Sequence, residues 1–123
     1  MQERDVVVAG AGPAGSALAA ELAARGLDVA LVSPTPSRPW TATLSGWWDE
    51  LAPLGAFDPA TMVRRRFPEV YAVDGHGART RLGRTYVVLD NAGTAEALRR
   101  RLLASGHGEE HDDRVQSLSL IHI

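Results

Sequence analysis

Residues Gly10-Ala11-Gly12-Pro13-Ala14-Gly15 have the G-x-G-x-x-G spacing of a turn that can hold a pyrophosphate. Each glycine has a separate physical task. Gly10 permits the tight turn. Gly12 has no side chain, so a phosphate pair can approach the backbone, and Gly15 lets the following helix pack close to the sheet. The helix N-terminus then offers free N–H groups and the positive end of its dipole. Pro13 fits, because a first-turn residue has no intrahelical N–H bond to lose. The chemistry expected is dinucleotide binding, with Gly10, Ala11, Gly12, Pro13, Ala14 and Gly15 as cofactor-binding residues. A complete fingerprint adds an acid about 20 residues on that binds the ribose hydroxyls. This chain has Ser33 there. A serine can hydrogen-bond a ribose hydroxyl without charge assistance, or can merely begin the turn before Pro34, and both readings stand. Arg38 would suit the 2′-phosphate of NADP, but its place far along a proline-rich loop counts against that use.

Other residues with chemical potential carry less. All 3 tryptophans of the chain fall between Trp40 and Trp48, as core packing or as a wall for a flat or apolar ligand. Asp49 and Glu50 read as charges at a helix N-terminus or as a buried acid pair for proton transfer. His107-Gly108-Glu109-Glu110-His111 has metal-ligand residue types but no helix to fix their geometry, so a solvated linker is expected and no metal site. Arg99-Arg100-Arg101 point to different faces of a helix and form no single patch. His76 reads as an exposed turn residue.

The elements that must position the glycine turn follow from hydrophobic patterning. Val6-Val7-Val8-Ala9 is a β-branched run ending at Gly10, expected as a strand buried on both faces. Pro13 to Arg25 reads as a helix with Ala14, Ala17, Leu18, Glu21 and Leu22 on one face and Gly26 as its C′ stop. Val29 to Val32 reads as a second strand, which completes a βαβ unit with adjacent parallel strands. The loop from Pro34 to Pro39 excludes helix and central strand. Trp47 to Leu54 reads as a short helix with Ser45 as N-cap, and Ala60 to Arg66 as a further helical turn. Val70–Val73 and Arg79–Leu82 flank Asp74-Gly75-His76-Gly77, a hairpin signal in which Asp-Gly supplies the positive φ. Thr85 to Leu89 reads as a strand. Asp90 would cap a helix running to about Ala104, with Ala95, Leu98, Leu102 and Leu103 as its apolar stripe. The expected fold class is α/β: a Rossmann-like FAD/NAD(P)-binding βαβ fold, truncated, with a β-hairpin and strand insertion.

Composition sets the limits. The chain has 123 residues, 13 basic and 15 acidic groups, no cysteine and a formal charge of -2. This suits one globular domain with no disulfide framework, thiolate metal site or basic excess for nucleic acid. No stretch reads as an export signal or a membrane span, so a cytoplasmic location is expected, with an Arg-rich face available for peripheral contact with anionic lipid. All basic residues are Arg and none is Lys, which suggests a GC-rich bacterial genome. Residues 1–105 are expected to be the N-terminal part of a FAD-binding Rossmann-like domain, and 106–117 a polar tail. Residues 118–123 can be encoded by CTGTCTCTTATACACATC, a transposase end used in sequencing libraries, and are expected to be adapter-derived.

Three further segments narrow the reading. Gly-x-Gly-Pro-Ala-Gly near an N-terminus resembles the form common in FAD-binding flavoproteins. Arg38-Pro39-Trp40, then Trp47-Trp48-Asp49-Glu50-Leu51, then Leu82-Gly83-Arg84-Thr85-Tyr86 with Asp90 and an Arg/Leu-rich helix, is similar to the N-terminal part of lycopene cyclases. The resemblance covers about residues 4–104. It departs at Leu44-Ser45, where members often have Tyr-Gly, and at Ser33, where they often have an acid. It implies a flavoenzyme, a lycopene β-cyclase, that folds linear carotene ends into β-ionone rings without net redox change. In that chemistry an acid protonates a terminal double bond, the carbocation attacks along the polyene, and a proton is lost. The resemblance implies reduced FAD as cofactor, NAD(P)H as its reductant and lycopene as substrate. The family's acidic catalytic motif falls beyond this segment, so the catalytic residue is unknown and the chain alone is expected to be inactive. The alternatives are another FAD-dependent oxidoreductase, of the aromatic hydroxylase or geranylgeranyl reductase type, or a cofactor-binding remnant without catalysis.

Overall fold

The structure is a computed structural model and describes residues 3–117. The expected adapter-derived segment, 118–123, lies outside the described residues. The described residues divide into two compact units, one built from 3–40 and 98–117, the other from 41–97.

The first unit is a parallel sheet in the order β1-β2-β8 (β1, Val6–Ala9; β2, Val29–Ser33; β8, Gly108–Asp112). Helix α1 (Pro13–Ala24) connects β1 to β2 and packs on both. Every residue of β2 is buried, as its unbroken apolar run predicts for the middle strand. The first strand departs from expectation. Only Val8 of β1 is buried, and Val7 is 50% exposed, because β1 is an edge strand among the described residues. Helix α1 ends as the sequence predicts. Gly26 takes φ +92, its N–H donates to the Ala23 carbonyl, and the Leu27 N–H donates to the Leu22 carbonyl, the pairing of a Schellman stop.

The buried face of α1 is not the expected one. Ala19, Ala20 and Ala23 are buried, while Ala14, Ala17 and Leu18 are exposed. A helix of nearly uniform small residues has no strong apolar stripe, so periodicity cannot choose its face. Close approach to the sheet chooses it instead, and that selects alanines.

The expected polar tail over 106–117 is also corrected, because Gly108–Asp112 is β8, parallel to β2 from Val29↔Gly108 to Ser33↔Asp112. Its residues are polar because pairing supplies the backbone bonds and partners neutralise the charges. Glu109 meets Arg4, and Glu110 pairs with Arg99 at 2.9 Å. Gly108 is required here, since a Cβ would stand 2.3 Å from Leu102 Cδ1 and 2.6 Å from the Leu102 carbonyl oxygen. Leu98 and Leu102 of α4 (Asn91–Ala104) are buried, whereas Leu103 of the expected stripe is exposed. Arg101 reaches Glu21 at 3.1 Å while Arg99 reaches Glu110, so the arginine run does address separate partners.

The second unit holds an antiparallel sheet in the order β3-β7-β4 (β3, Ser45–Trp47; β4, Val63–Phe67; β7, Tyr86–Leu89), centred on the fully buried Val87. Between β3 and β4 run two short helices, α2 (Trp48–Leu51) and α3 (Pro59–Met62). Two expectations fail in this unit. Ser45 is a strand residue bonded to the Tyr86 hydroxyl and caps no helix. Arg64 to Arg66 lie on β4, where Arg66 stacks 3.8 Å above the Trp48 ring and Arg65 lies over Phe67. Arginine is a good helix former, but sheet pairing with β7 overrides that preference.

The expected hairpin forms as β5 (Tyr71–Val73) and β6 (Arg79–Arg81). Its positive φ, +83, falls at Gly77 and not at Gly75, and the Asp74 carboxylate accepts from the His76 and Ala78 N–H groups. His76 is exposed, as expected. Asp90 caps α4 as expected, accepting from the Gly93 N–H at 2.7 Å.

Candidate functional site: a dinucleotide half-site

The first unit puts the glycine turn at the carboxyl ends of β1 and β2, where open α/β sheets bind ligands. Gly10 leaves β1 with φ +105, a conformation that favours glycine, and its N–H donates to the Val32 carbonyl at 2.8 Å. Gly12 is the N-cap of α1 and has no side-chain cap. The Ser16 N–H donates back to the Gly12 carbonyl at 2.9 Å, so the first N–H groups of α1 are left for another acceptor. A Cβ at Gly12 would meet no protein atom within 4 Å, so the missing side chain leaves open space in front of the backbone. At Gly15 a Cβ would stand 1.9 Å from the Gly10 carbonyl oxygen. The third glycine therefore lets the helix approach the turn itself.

A cavity of about 300 Å³ opens at this turn. Gly10, Ala11 and Gly12 form its floor, and Ser33, Thr35 and Arg38 come from the end of β2 and the loop that follows, with Pro39 and Trp40 beyond. Ser33 is 9% exposed and its Oγ accepts from the Thr35 N–H at 3.4 Å. Ser33 thus shapes the turn and also lines the cavity. Pro13, Ala14 and Gly15 lie in the first turn of α1 and are not among the lining residues.

The proline-rich loop is folded back on the glycine turn. The Arg38 N–H donates to the Thr35 carbonyl, and the Trp40 indole N–H donates to the Ala11 carbonyl at 3.0 Å. Arg38 is consequently a cavity residue, although it stands far along the proline-rich loop. The signal that could have found it was the tryptophan two positions on, whose half-buried indole N–H needs an acceptor. Among the described residues no carboxylate lines the cavity, and Arg38 is the one charged side chain that does. With the N-terminus of α1, this gives a site that attracts anions.

In the second unit, two of the segments that carried the family resemblance, Trp47–Leu51 and Leu82–Tyr86, meet each other. Arg84 donates to both Asp49 oxygens, from Nε at 2.7 Å and from Nη2 at 2.6 Å, and lies 3.5 Å from Glu50. Its guanidinium also stacks 4.4 Å over the Trp47 ring, which meets Tyr86 edge-on at 5.1 Å. The hydrogen bond from Arg84 holds the Asp49 carboxyl below the usual carboxylate range, and the same pairing raises Arg84. Asp49 and Glu50 are exposed and paired with a cation, so they are not a buried acid pair for proton transfer. They join two sequence segments 35 residues apart. His107 lies 3.5 Å from Asp28, and His111 sits on β8 opposite Val32. No helix among the described residues is long and apolar enough to cross a membrane.

Comparison with known proteins agrees with these features. The family model described as lycopene cyclase protein matches residues 5–121. An uncharacterized carotenoid cyclase of Deinococcus radiodurans is 46% identical over 95 residues, covering 77% of this chain and 22% of that protein. A lycopene beta cyclase of Synechococcus elongatus is 54% identical over 52 residues, covering 42% of this chain and 13% of that protein. The chain thus spans about a fifth or less of these relatives' length. Among solved structures, a peptidyl tryptophan dihydroxylase, QhpG, superposes with a TM-score of 0.61 at 27% identity over 98% of this chain and 27% of that one. The α/β architecture is that of a Rossmann-like fold, and the chain belongs to the lycopene cyclase family.

Proposed function

We propose that this chain is the FAD-binding N-terminal part of a lycopene β-cyclase, a flavoprotein that closes linear carotene ends into β-ionone rings without net redox change. The observation that carries the reading is the cavity at Gly10–Gly12, whose open floor, helix N-terminus and Ser33 hydroxyl fit the ADP half of the cofactor. Gly10, Ala11 and Gly12 would face the pyrophosphate, with Pro13, Ala14 and Gly15 setting the first turn of the helix that points at it. Ser33 would hydrogen-bond a ribose hydroxyl. When bound, the reduced flavin would supply electron density that stabilises a carbocation, with NAD(P)H as reductant. This chain's residues bind and orient the cofactor and carry no assigned catalytic acid. Family membership and the cyclase relatives support lycopene as substrate. We place the parent enzyme in the cytoplasm, where its carotenoid substrate would require peripheral contact with a membrane.

The test has two arms. Expression of the parent gene in a lycopene-accumulating host should yield cyclic carotenes, whereas this 123-residue chain should leave lycopene linear. A parent protein that binds FAD and leaves lycopene uncyclised would exclude the cyclase reading in favour of another flavin-dependent activity.

A further inference from the structure

The three-stranded sheet of the second unit has one closed face and one open face. Residues directly opposite each other share a face. Gly46 and Val87 are paired on the closed side, where Val87 is fully buried and a Cβ at Gly46 would stand 3.2 Å from Leu51 Cδ1. On the other side, Trp47 of β3 and Phe67 of β4 both pair with Tyr86 of β7, so three aromatic rings stand in one row across three strands. Trp47 and Tyr86 are half-buried, and Phe67 is exposed. A guanidinium stacks on each outer ring, Arg84 on Trp47 at 4.4 Å and Arg65 on Phe67 at 5.9 Å. The hairpin repeats this chemistry. Tyr71, Val73, Arg79 and Arg81 are paired on one of its faces, Arg79 lies 4.5 Å over the Tyr71 ring, and Val73 is 62% exposed.

Charge sets this surface apart. Residues 63–84 hold six arginines against two acids, Glu69 and Asp74, in a chain of formal charge -2. Glu69 lies 3.8 Å from Arg81, and the Asp74 carboxylate is taken by N–H groups of its own turn. Among the described residues, Arg64, Arg65, Arg66 and Arg79 have no carboxylate partner, and all four are exposed.

We propose that β4 and the β5–β6 hairpin dock on an anionic lipid bilayer, with Phe67, Tyr71 and Val73 entering the headgroup level and Arg64, Arg65 and Arg79 pairing with lipid phosphates. Aromatic side chains settle at that level. A guanidinium binds phosphate in two prongs, and each one near an anionic leaflet strengthens attachment about fivefold. The choice of a bilayer over another polyanion rests on the carotenoid-cyclase reading, because a carotene collects in lipid.

The experiment is co-sedimentation of the full chain with vesicles of phosphatidylcholine alone and of phosphatidylcholine mixed with phosphatidylglycerol, with a single-stranded oligothymidylate as a third ligand. Phosphatidylglycerol should raise affinity at least about tenfold, by a gain that shrinks as NaCl is raised. Arg64→Gln combined with Arg65→Gln should cost roughly 25-fold on the anionic vesicles, and Arg79→Gln about fivefold. Phe67→Ser should weaken binding about fivefold. Arg25→Gln, which removes the same charge from α1, should stay within about twofold of wild type. Circular dichroism identifies any variant that fails to fold, and the others then decide. The parent enzyme with the paired arginine substitutions should lose the same preference for anionic vesicles. Equal binding to both vesicle types, or an anionic preference that survives all three arginine substitutions, overturns the proposal. Tighter binding of the oligothymidylate than of the anionic vesicles overturns it by assigning the surface to nucleic acid. Self-association of the chain that Phe67→Ser abolishes overturns it in favour of a second copy. A parent enzyme whose lipid binding ignores Arg64 and Arg65 overturns it too, since the rest of that protein then covers the surface. Flavin binding and lycopene cyclisation are read by separate assays and stand or fall independently of these results.

Discussion

Gly15→Ala tests whether close approach of helix and turn holds the first unit together. The added Cβ would stand 1.9 Å from the Gly10 carbonyl oxygen, where ordinary contact begins at 3.4 Å, a shortfall of about 1.5 Å. Both sides of the clash are backbone, so no rotamer change relieves it. Either α1 lifts at its first turn, loosening Ala19, Ala20 and Ala23 from the sheet, or the Gly10 turn moves. Overpacking of this kind costs roughly 1–3 kcal/mol. For a domain of this size that is a thermal midpoint lowered by roughly 4–12 °C. Gly12→Ala is the control. Gly12 has φ -76 and ψ -175, open to any residue, and its Cβ meets nothing within 4 Å. Its stability should stay within about 0.5 kcal/mol of wild type, since surface changes away from special geometry have small effects. Circular dichroism melts of the three proteins decide the matter. A Gly15→Ala midpoint within about 1 °C of wild type would refute the packing argument.

Other outcomes follow from the same geometry. Gly108→Ala should lower stability by roughly 1–3 kcal/mol through its clash with Leu102, and hydrogen exchange should show protection lost first in β8. Arg84→Lys should lower the thermal midpoint almost as much as Arg84→Gln, because a single ammonium cannot span both Asp49 oxygens and stack on Trp47. The Asp49 pKa is depressed in the folded state, so the pair's contribution is complete above the ordinary carboxylate pKa and fades as pH falls through the lower folded value. Urea midpoints measured from neutral to acid pH should therefore fall less steeply for Asp49→Asn than for wild type. Equal slopes would remove Asp49 from the acid response.

The reach of the sequence varies with how local the determining physics is. The order β1–α1–β2, the Gly26 stop, the Asp90 cap and the pairing of β5 with β6 are set by local patterning and form as expected, although the burial of β1 and the position of the hairpin's positive φ do not. Three features depend on distant partners and were not readable. Strand β8 has no apolar signature, because its charges are matched by Arg4 and Arg99 and its backbone by β2. The face of α1 is chosen by packing distance and not by hydrophobicity. Arg38 enters the cavity only because a turn at Thr35 and the Trp40–Ala11 bond reverse the loop. At the site, glycine spacing identified the floor of the cavity, while its charge comes from Arg38, a residue far along the proline-rich loop.

Flavin titration decides whether the cavity at Gly10–Gly12 is a cofactor half-site. The purified chain, followed by quenching of flavin fluorescence, should bind FAD saturably, release it to excess ADP, and lose at least about tenfold in affinity in Gly12→Ala, where a methyl would occupy the phosphate's approach. A folded chain that shows no saturable binding, or a Gly12→Ala variant that binds FAD as the wild type does, would contradict it.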